Sequence, residues 1–262
     1  MDTLQALTEF YAHYDEESRL LSRHGSVEFL TTMRYLNKYL RSGMRILEIG
    51  AATGRYSHTL AREGYVVDAV ELIAHNIDLF RQFTQPGEEI TIRQGNAKDL
   101  SFIPDETYDI TLLLGPMYHL FTKEEQQMAL SEALRVTKTG GILFAAYCGN
   151  DATMVQYCFG SGMLREERYQ KLVDPVTFKA SSDPAELFEL YRKEDIDALM
   201  ENFRTERLHY VGTDMATNYM RNVIDEMDDD FFRMYLDYHF VICERPDMVG
   251  VSHHILDVQR KL

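Results

Sequence analysis

Between about Met44 and Ala146 short apolar runs alternate with longer, helix-like stretches. The runs Arg45 to Ile49, Tyr65 to Glu71, Glu89 to Gln94, Tyr108 to Leu114 and Ile142 to Tyr147 are rich in β-branched residues. Several are apolar almost throughout, as parallel strands covered on both faces should be. The stretches Arg55 to Glu63, Ala74 to Phe83 and Lys123 to Val136 read as helices, the third opened by a capping box of Thr122 and Glu125. Strand and helix in turn predict a doubly wound α/β core with a parallel sheet and right-handed crossovers.

The flanks follow other patterns. Residues 1–42 read as helices rich in aromatic and charged side chains, ending at Ser42-Gly43. Residues 149–184, with Gly160, Gly162, Pro175 and Pro184, read as an irregular insertion. A helix from Glu194 to Phe203 and strands from Arg207 to Gly212 and Ser252 to Gln259 belong to residues 185–262, interrupted by a helical insertion at about 216–245 that carries the run Asp228-Asp229-Asp230. Three added segments around one core predict a lid over a pocket.

Composition narrows the class. A chain of 262 residues with 45% hydrophobic and 26% charged residues buries a sufficient core without disulfides or metals. Its 27 basic against 42 acidic residues give a net charge of -15, which disfavours nucleic acid as partner, because that affinity rests on Lys and Arg displacing counterions. Cys148, Cys158 and Cys243 are too scattered for a disulfide framework, the acidic N-terminus lacks the pattern of a signal peptide, and no apolar run approaches bilayer length. A soluble cytoplasmic protein is expected. Oligomeric state stays open.

In a doubly wound sheet the ligand lies beyond the carboxyl ends of the strands. The first strand ends in Glu48-Ile49-Gly50-Ala51-Ala52-Thr53-Gly54-Arg55. Gly50 permits a sharp turn there, and Gly54 would let the next helix start close to a ligand with no Cβ in the way. The second strand ends in Glu71, 21 residues after Gly50, where an acid accepts from ribose hydroxyls; the alternative is an acid that caps the next helix. An adenosine cofactor follows. The dinucleotide fingerprint would place glycines at 50, 52 and 55, where the chain has Gly50, Ala52 and Arg55, so NAD fits poorly.

The first segment resembles the Glu/Asp-x-Gly-x-Gly-x-Gly motif of class I S-adenosylmethionine-dependent methyltransferases through Glu48, Gly50 and Gly54, with Ala52 in place of the middle glycine. The resemblance continues through Glu71 and through Gln94-Gly95-Asn96-Ala97, similar to the family's adenine-reading segment, with Asn96 for the usual Asp. It runs on through Tyr108 to Leu120, like the fourth strand and active-site loop, and through Leu134 to Ile142, like a Leu-x-Pro-Gly-Gly turn with Thr139 for proline. It covers about 100 residues, Arg45 to Tyr147. It implies a Rossmann-like, seven-stranded methyltransferase sheet with N-terminal helices and helical lid insertions: a helical cap at 1–42, a cofactor-binding core at 43–148, a lid at 149–184 and the rest of the core at 185–262.

The implied cofactor is S-adenosylmethionine, held by Glu48, Gly50, Ala52, Gly54, Glu71, Asn96, Ala97 and Gly115, with no metal. The implied reaction is in-line methyl transfer to a small-molecule acceptor. Gly115 stands where amino-directed DNA methyltransferases carry a polar side chain, which with the net charge argues against a nucleic-acid base. In the loop 115–120, His119 has the pKa suited to orienting or deprotonating an acceptor, and Tyr118 would line the pocket; the alternative is a histidine that only holds the loop. Tyr11, Tyr14, Arg19 and Arg23 are candidate lid residues. His253 and His254, consecutive on a predicted strand, point to opposite faces, cannot share a metal, and read as structural. Competing readings are a protein or RNA methyltransferase, a cofactor-binding partner protein without catalysis and, last, a nicotinamide-dependent oxidoreductase.

Overall fold

The computed structural model describes residues 3–14, 19–182 and 188–262. Asp2, Asp15, Glu16 and Glu17, part of the acidic N-terminus, and Pro184, the end of the first insertion, lie outside the described residues. Helices α1 (Thr3–Tyr11) and α2 (Arg23–Tyr39) precede a core of β1 (Arg45–Ile49), α3 (Arg55–Arg62), β2 (Val66–Glu71), α4 (Ala74–Phe83), β3 (Ile90–Gln94), β4 (Tyr108–Leu113), α5 (Lys123–Val136) and β5 (Thr137–Gly149). Then come β6 (Leu190–Tyr191), α6 (Lys193–Met200), β7 (Thr205–Gly212), α7 (Asp229–Ile242) and β8 (His254–Lys261).

The strands order as β3-β2-β1-β4-β5-β8-β7, with the short β6 beside the end of β5. From β3 to β5 all neighbours are parallel; the central strands β1 and β4 are buried on both faces under helices, whereas the edge strand β3 exposes Thr91, Arg93 and Gln94. Leu47, Ile49 and Leu113 pack with Leu130 and Leu134 of α5 and Ile196 of α6. Ile46, Ile110 and Leu112, one residue out of phase, pack with Leu36 of α2 and Tyr56 and Leu60 of α3. The period of two thus divides one sheet between two cores.

The parallel sheet expected of the core holds from β3 to β5, and beyond it β8 runs antiparallel to both β5 and β7. Two expectations need correction. The segment around Gly140-Gly141 is not a turn before a strand. β5 already starts at Thr137, and a register shift against β4 absorbs the extra residues, with Gly140 at φ +79°. The last strand starts at His254, so His253 sits in the loop before it.

Helix starts follow local chemistry. The Thr122 side chain accepts from the Glu125 N–H at 3.2 Å, and the Asp228 carboxylate accepts from the Phe231 N–H at 2.9 Å, which makes the aspartate run the start of α7. Residues 150–170 are short turns, including a wide, π-type turn at Met154–Gly160. No helix among the described residues is long and apolar enough to cross a membrane.

Candidate functional site

Strand β1 sits between β2 and β4, where the direction of winding reverses, and the carboxyl ends of the three strands lie side by side. The chain leaves β1 sharply: the Gly50 and Ala51 N–H groups both donate to the Val70 carbonyl. Gly50 has φ +74°, and a Cβ on it would lie 2.6 Å from Pro116 Cδ; a Cβ on Gly115 would lie 3.3 Å from the Gly50 carbonyl oxygen. Gly50 admits no side chain at this crossing of two backbones, and one at Gly115 would need the Gly50 carbonyl to shift.

Beside it opens a cavity of about 300 Å³ lined by Gly50, Ala52, Glu71, Asn96, Ala97 and Gly115, with His119 at one side and Lys98 and Glu125 at another. Glu71 is 5% exposed. Its carboxylate accepts from the Ala52 N–H at 2.9 Å, the Ile73 N–H at 2.8 Å and Asn76 Nδ2 at 3.4 Å. Burial pushes its pKa up and those N–H groups draw it back. A carboxylate offers about four lone-pair sites, so three donors leave capacity for a hydroxyl. Ala52 has φ +48°, a conformation that costs a residue with a Cβ about 1–2 kcal/mol, and the bond to Glu71 holds it there. Asn96 Oδ1 accepts from the Lys98 N–H at 3.0 Å, which leaves it one lone pair.

Two residues expected at the cofactor do other work. Glu48 does not line the cavity; it is buried under α3, where it accepts from the Ser57 N–H at 2.9 Å and, in a very short bond, from the Ser57 hydroxyl. Burial lifts its pKa to about 8 against those bonds. Gly54, at φ +90°, also stands off the cavity: a Cβ there would meet the Phe80 ring at 2.5 Å. Glu48 and Gly54 therefore fix the start of α3 rather than approach a ligand.

The loop after β4 forms a short 3₁₀ turn, Pro116–His119. The Tyr118 hydroxyl donates to the Leu114 carbonyl at 3.0 Å, and the Tyr191 hydroxyl donates to the Met117 carbonyl at 2.7 Å. His119 Nε2 lies 3.0 Å from the Tyr11 hydroxyl, with the Tyr118 and Phe188 rings against the imidazole. Tyr11 also lines a second, larger cavity of about 470 Å³ and is the wall residue that the two spaces share, while His119 lines the smaller one. Tyr118 and Tyr14 line the larger one.

Arg19, paired with Glu28 at 2.7 Å, lines this cavity too, whereas Arg23 does not: it turns to Asp229 at 2.7 Å and lies over the Phe232 ring. His253 and His254, read as structural from the sequence, both line the larger cavity. His254 Nδ1 lies 2.7 Å from Asp214 Oδ2 and 3.4 Å from Glu28 Oε2. Asp214 further accepts from the Ser252 hydroxyl, the His253 N–H and Asn218 Nδ2. Burial opposes ionisation of both partners, yet the His254 charge and hydrogen bond hold the Asp214 carboxyl at about 2, and Glu28 and Asp214 hold the His254 imidazole well above its usual range. This ion cluster escapes sequence reading because Glu28 lies 186 positions before Asp214. The signal that could have found it is an acid two residues beyond the end of β7.

Residues 46–141 match the family model of a methyltransferase domain. An S-adenosyl-L-methionine-dependent Diels-Alderase from Talaromyces variabilis is 32% identical over 106 residues, 39% of this chain and 35% of that protein. A demethylmenaquinone methyltransferase from Tropheryma whipplei (strain Twist) is 32% identical over 102 residues, 39% of this chain and 41% of that protein. The chain thus spans less than half the length of these two relatives. Among solved structures, an S-adenosylmethionine-dependent methyltransferase of Thermotoga maritima, described as a possible histamine N-methyltransferase, superposes with TM-score 0.60 at 18% identity, covering 98% of this chain and 99% of that one, which shows the shared fold. With the strand order, the Gly50 crossing and Glu71 in place, residues 46–141 are those of a methyltransferase domain.

Proposed function

We propose that the protein transfers the methyl group of S-adenosylmethionine, by in-line displacement, to a small molecule held in the larger cavity. The observation that carries this reading is that Tyr11, hydrogen-bonded to His119 of the smaller cavity, walls both cavities. The Gly50–Gly115 cradle and the spare acceptor capacity of Glu71 fit the cofactor. Glu71 would take a ribose hydroxyl, Asn96 and the Ala97 N–H the adenine edge, and Ala52 and Gly50 the amino-acid tail. When bound, S-adenosylmethionine supplies an already activated methyl group. What remains for the chain is to align the acceptor and keep water out. His119 would orient the acceptor or take its proton, and Tyr118 and Phe188 would wall it from solvent.

Segments 1–42, 149–184 and 216–245 would supply acceptor recognition. Support comes from the walls of the larger cavity, to which the first gives Tyr11, Tyr14 and Glu28, the second Tyr157 and the third Asn218 and Arg221. The test is incubation with methyl-labelled S-adenosylmethionine and a cell extract separated into small molecules, protein and RNA. Label in a small-molecule product is expected; label confined to protein or RNA would contradict the acceptor class. The Diels-Alderase among the relatives supplies a second reading, a cofactor-bound enzyme that transfers no methyl, and binding of S-adenosylhomocysteine with no labelled product in any fraction would favour it.

A further inference from the structure

We propose that Arg221 and His253 form a subsite that holds a carboxylate of the methyl acceptor. The inference rests on the reading that the larger cavity is the acceptor's. Its wall carries three cations, Arg19, Arg221 and protonated His254, against two carboxylates, Glu28 and Asp214, in a chain whose net charge is -15. Arg19 is matched by Glu28 and His254 by Asp214. Arg221 has no such match: no carboxylate of the described residues lies within salt-bridge distance of it, and its guanidinium donates only to the Tyr157 hydroxyl at 3.0 Å and, less closely, to the Asn218 carbonyl at 3.3 Å. Five N–H donors less two leave the rest for a ligand.

His253 is the second, independent observation. It is 6% exposed, lines the same cavity, and neither ring nitrogen has a hydrogen-bond partner. The Ala152 carbonyl favours the protonated ring without making a hydrogen bond to either nitrogen. A buried polar group without a partner costs about 1–3 kcal/mol, which a bound ligand would relieve. Burial, opposed by Asp214 and helped by Arg221, lowers its pKa to about 4, so near neutral pH it keeps one N–H to donate. The imidazole packs against the Tyr157 and Tyr219 rings, and Tyr157 is the residue that Arg221 holds, so both groups border one space. One unmatched positive charge beside a neutral donor suits a monoanion. A dianion such as phosphate would exceed that charge and face the carboxylates behind it.

The test uses the full chain saturated with S-adenosylhomocysteine and titrated with 1-naphthoate and its uncharged analogue 1-naphthamide. Calorimetry gives the affinities, and the His253 ring signal, assigned by its loss in His253→Gln, reports the location by NMR. The acid is expected to bind about tenfold or more tightly than the amide and to shift that signal. Arg221→Gln should abolish the preference without changing S-adenosylhomocysteine affinity, and Arg221→Lys should restore part of it. Equal binding of acid and amide, an acid that does not bind, or full preference in Arg221→Gln would overturn the subsite. Should either arginine variant fail to fold, the comparison of acid with amide on the wild-type chain still decides. Failure of the wild-type chain to bind S-adenosylhomocysteine would instead overturn the proposed function.

Discussion

Glu71 connects three backbone and side-chain donors while lying on the cavity wall, so its carboxylate both shapes the loop after β1 and faces the proposed ribose position. Removing it takes away a charged acceptor. Glu71→Ala should therefore weaken S-adenosylhomocysteine binding by about 1–3 kcal/mol in calorimetry, and unchanged affinity would remove Glu71 from the site. His119 lines the smaller cavity and bonds to Tyr11, which walls both. His119→Ala should cut turnover by about 10²-fold or more if the imidazole takes the acceptor's proton, and unimpaired turnover would leave it as a loop brace. Arg23, expected with the lid residues, shows why lid chemistry is hard to read: Arg19 lies before the Ser22 cap of α2 and faces the cavity, while Arg23 in the first turn of α2 reaches Asp229 of α7.

At the scale of elements, α3 is fixed to β1 by a buried acid and a glycine, not by ligand. Ser57 in the first turn of α3 satisfies Glu48, and Gly54 lets the Phe80 ring of α4 pack where a side chain would stand. Gly54→Ala should thus lower stability by about 1–3 kcal/mol, through positive φ and the clash with Phe80. In the folded fraction S-adenosylhomocysteine affinity should change by less than about threefold. A thermal melt with parallel calorimetry checks this; normal stability with lost affinity would restore Gly54 to the cofactor site.

Most of the core elements were legible because their signals are local. The start of α5 rests on Thr122, that of α4 on the apolar pattern from Ala74, and the ends of β1 and β2 on Gly50 and Glu71. What was not legible depends on tertiary partners. β5 starts early because Thr137 pairs with Tyr108 before the register shift, and β8 reverses direction because its neighbours are β5 and β7. The Arg221–His253 wall needs the 216–245 insertion brought against the loop before β8.

At the scale of the whole molecule, three histidines divide between neutral and charged states: His239 and His253 on one side, His254 on the other. His239 is buried against Thr31, whose hydroxyl already donates to the Val27 carbonyl, so His239 Nε2–H donates to it and Nδ1 is left bare. Burial lowers its pKa from the ordinary 6.5 to about 4, and His253 shares that value. A folded-state pKa below the unfolded one means that the unfolded chain takes up the proton first. The stability tied to each neutral histidine is complete above 6.5 and is lost as pH falls toward 4, up to about 3 kcal/mol for His239. Asp214 adds a loss only below its unfolded value near 3.8, as pH falls through about 2. His254 has the opposite sign: its contribution is complete below 6.5 and lost as pH rises through its elevated folded value. Melting temperature should fall between pH 6.5 and 4, and His239→Gln should flatten that slope; an identical slope would refute the neutral assignment.

The most direct measurement of the central claim is a crystal structure with S-adenosylhomocysteine bound. The ribose is expected on Glu71, the adenine along Asn96 and Ala97, and the sulfur facing Tyr11 and His119 at the mouth of the larger cavity. A nucleoside found outside the cavity of Gly50, Glu71 and Gly115, or a sulfur turned away from the larger cavity, would contradict the account.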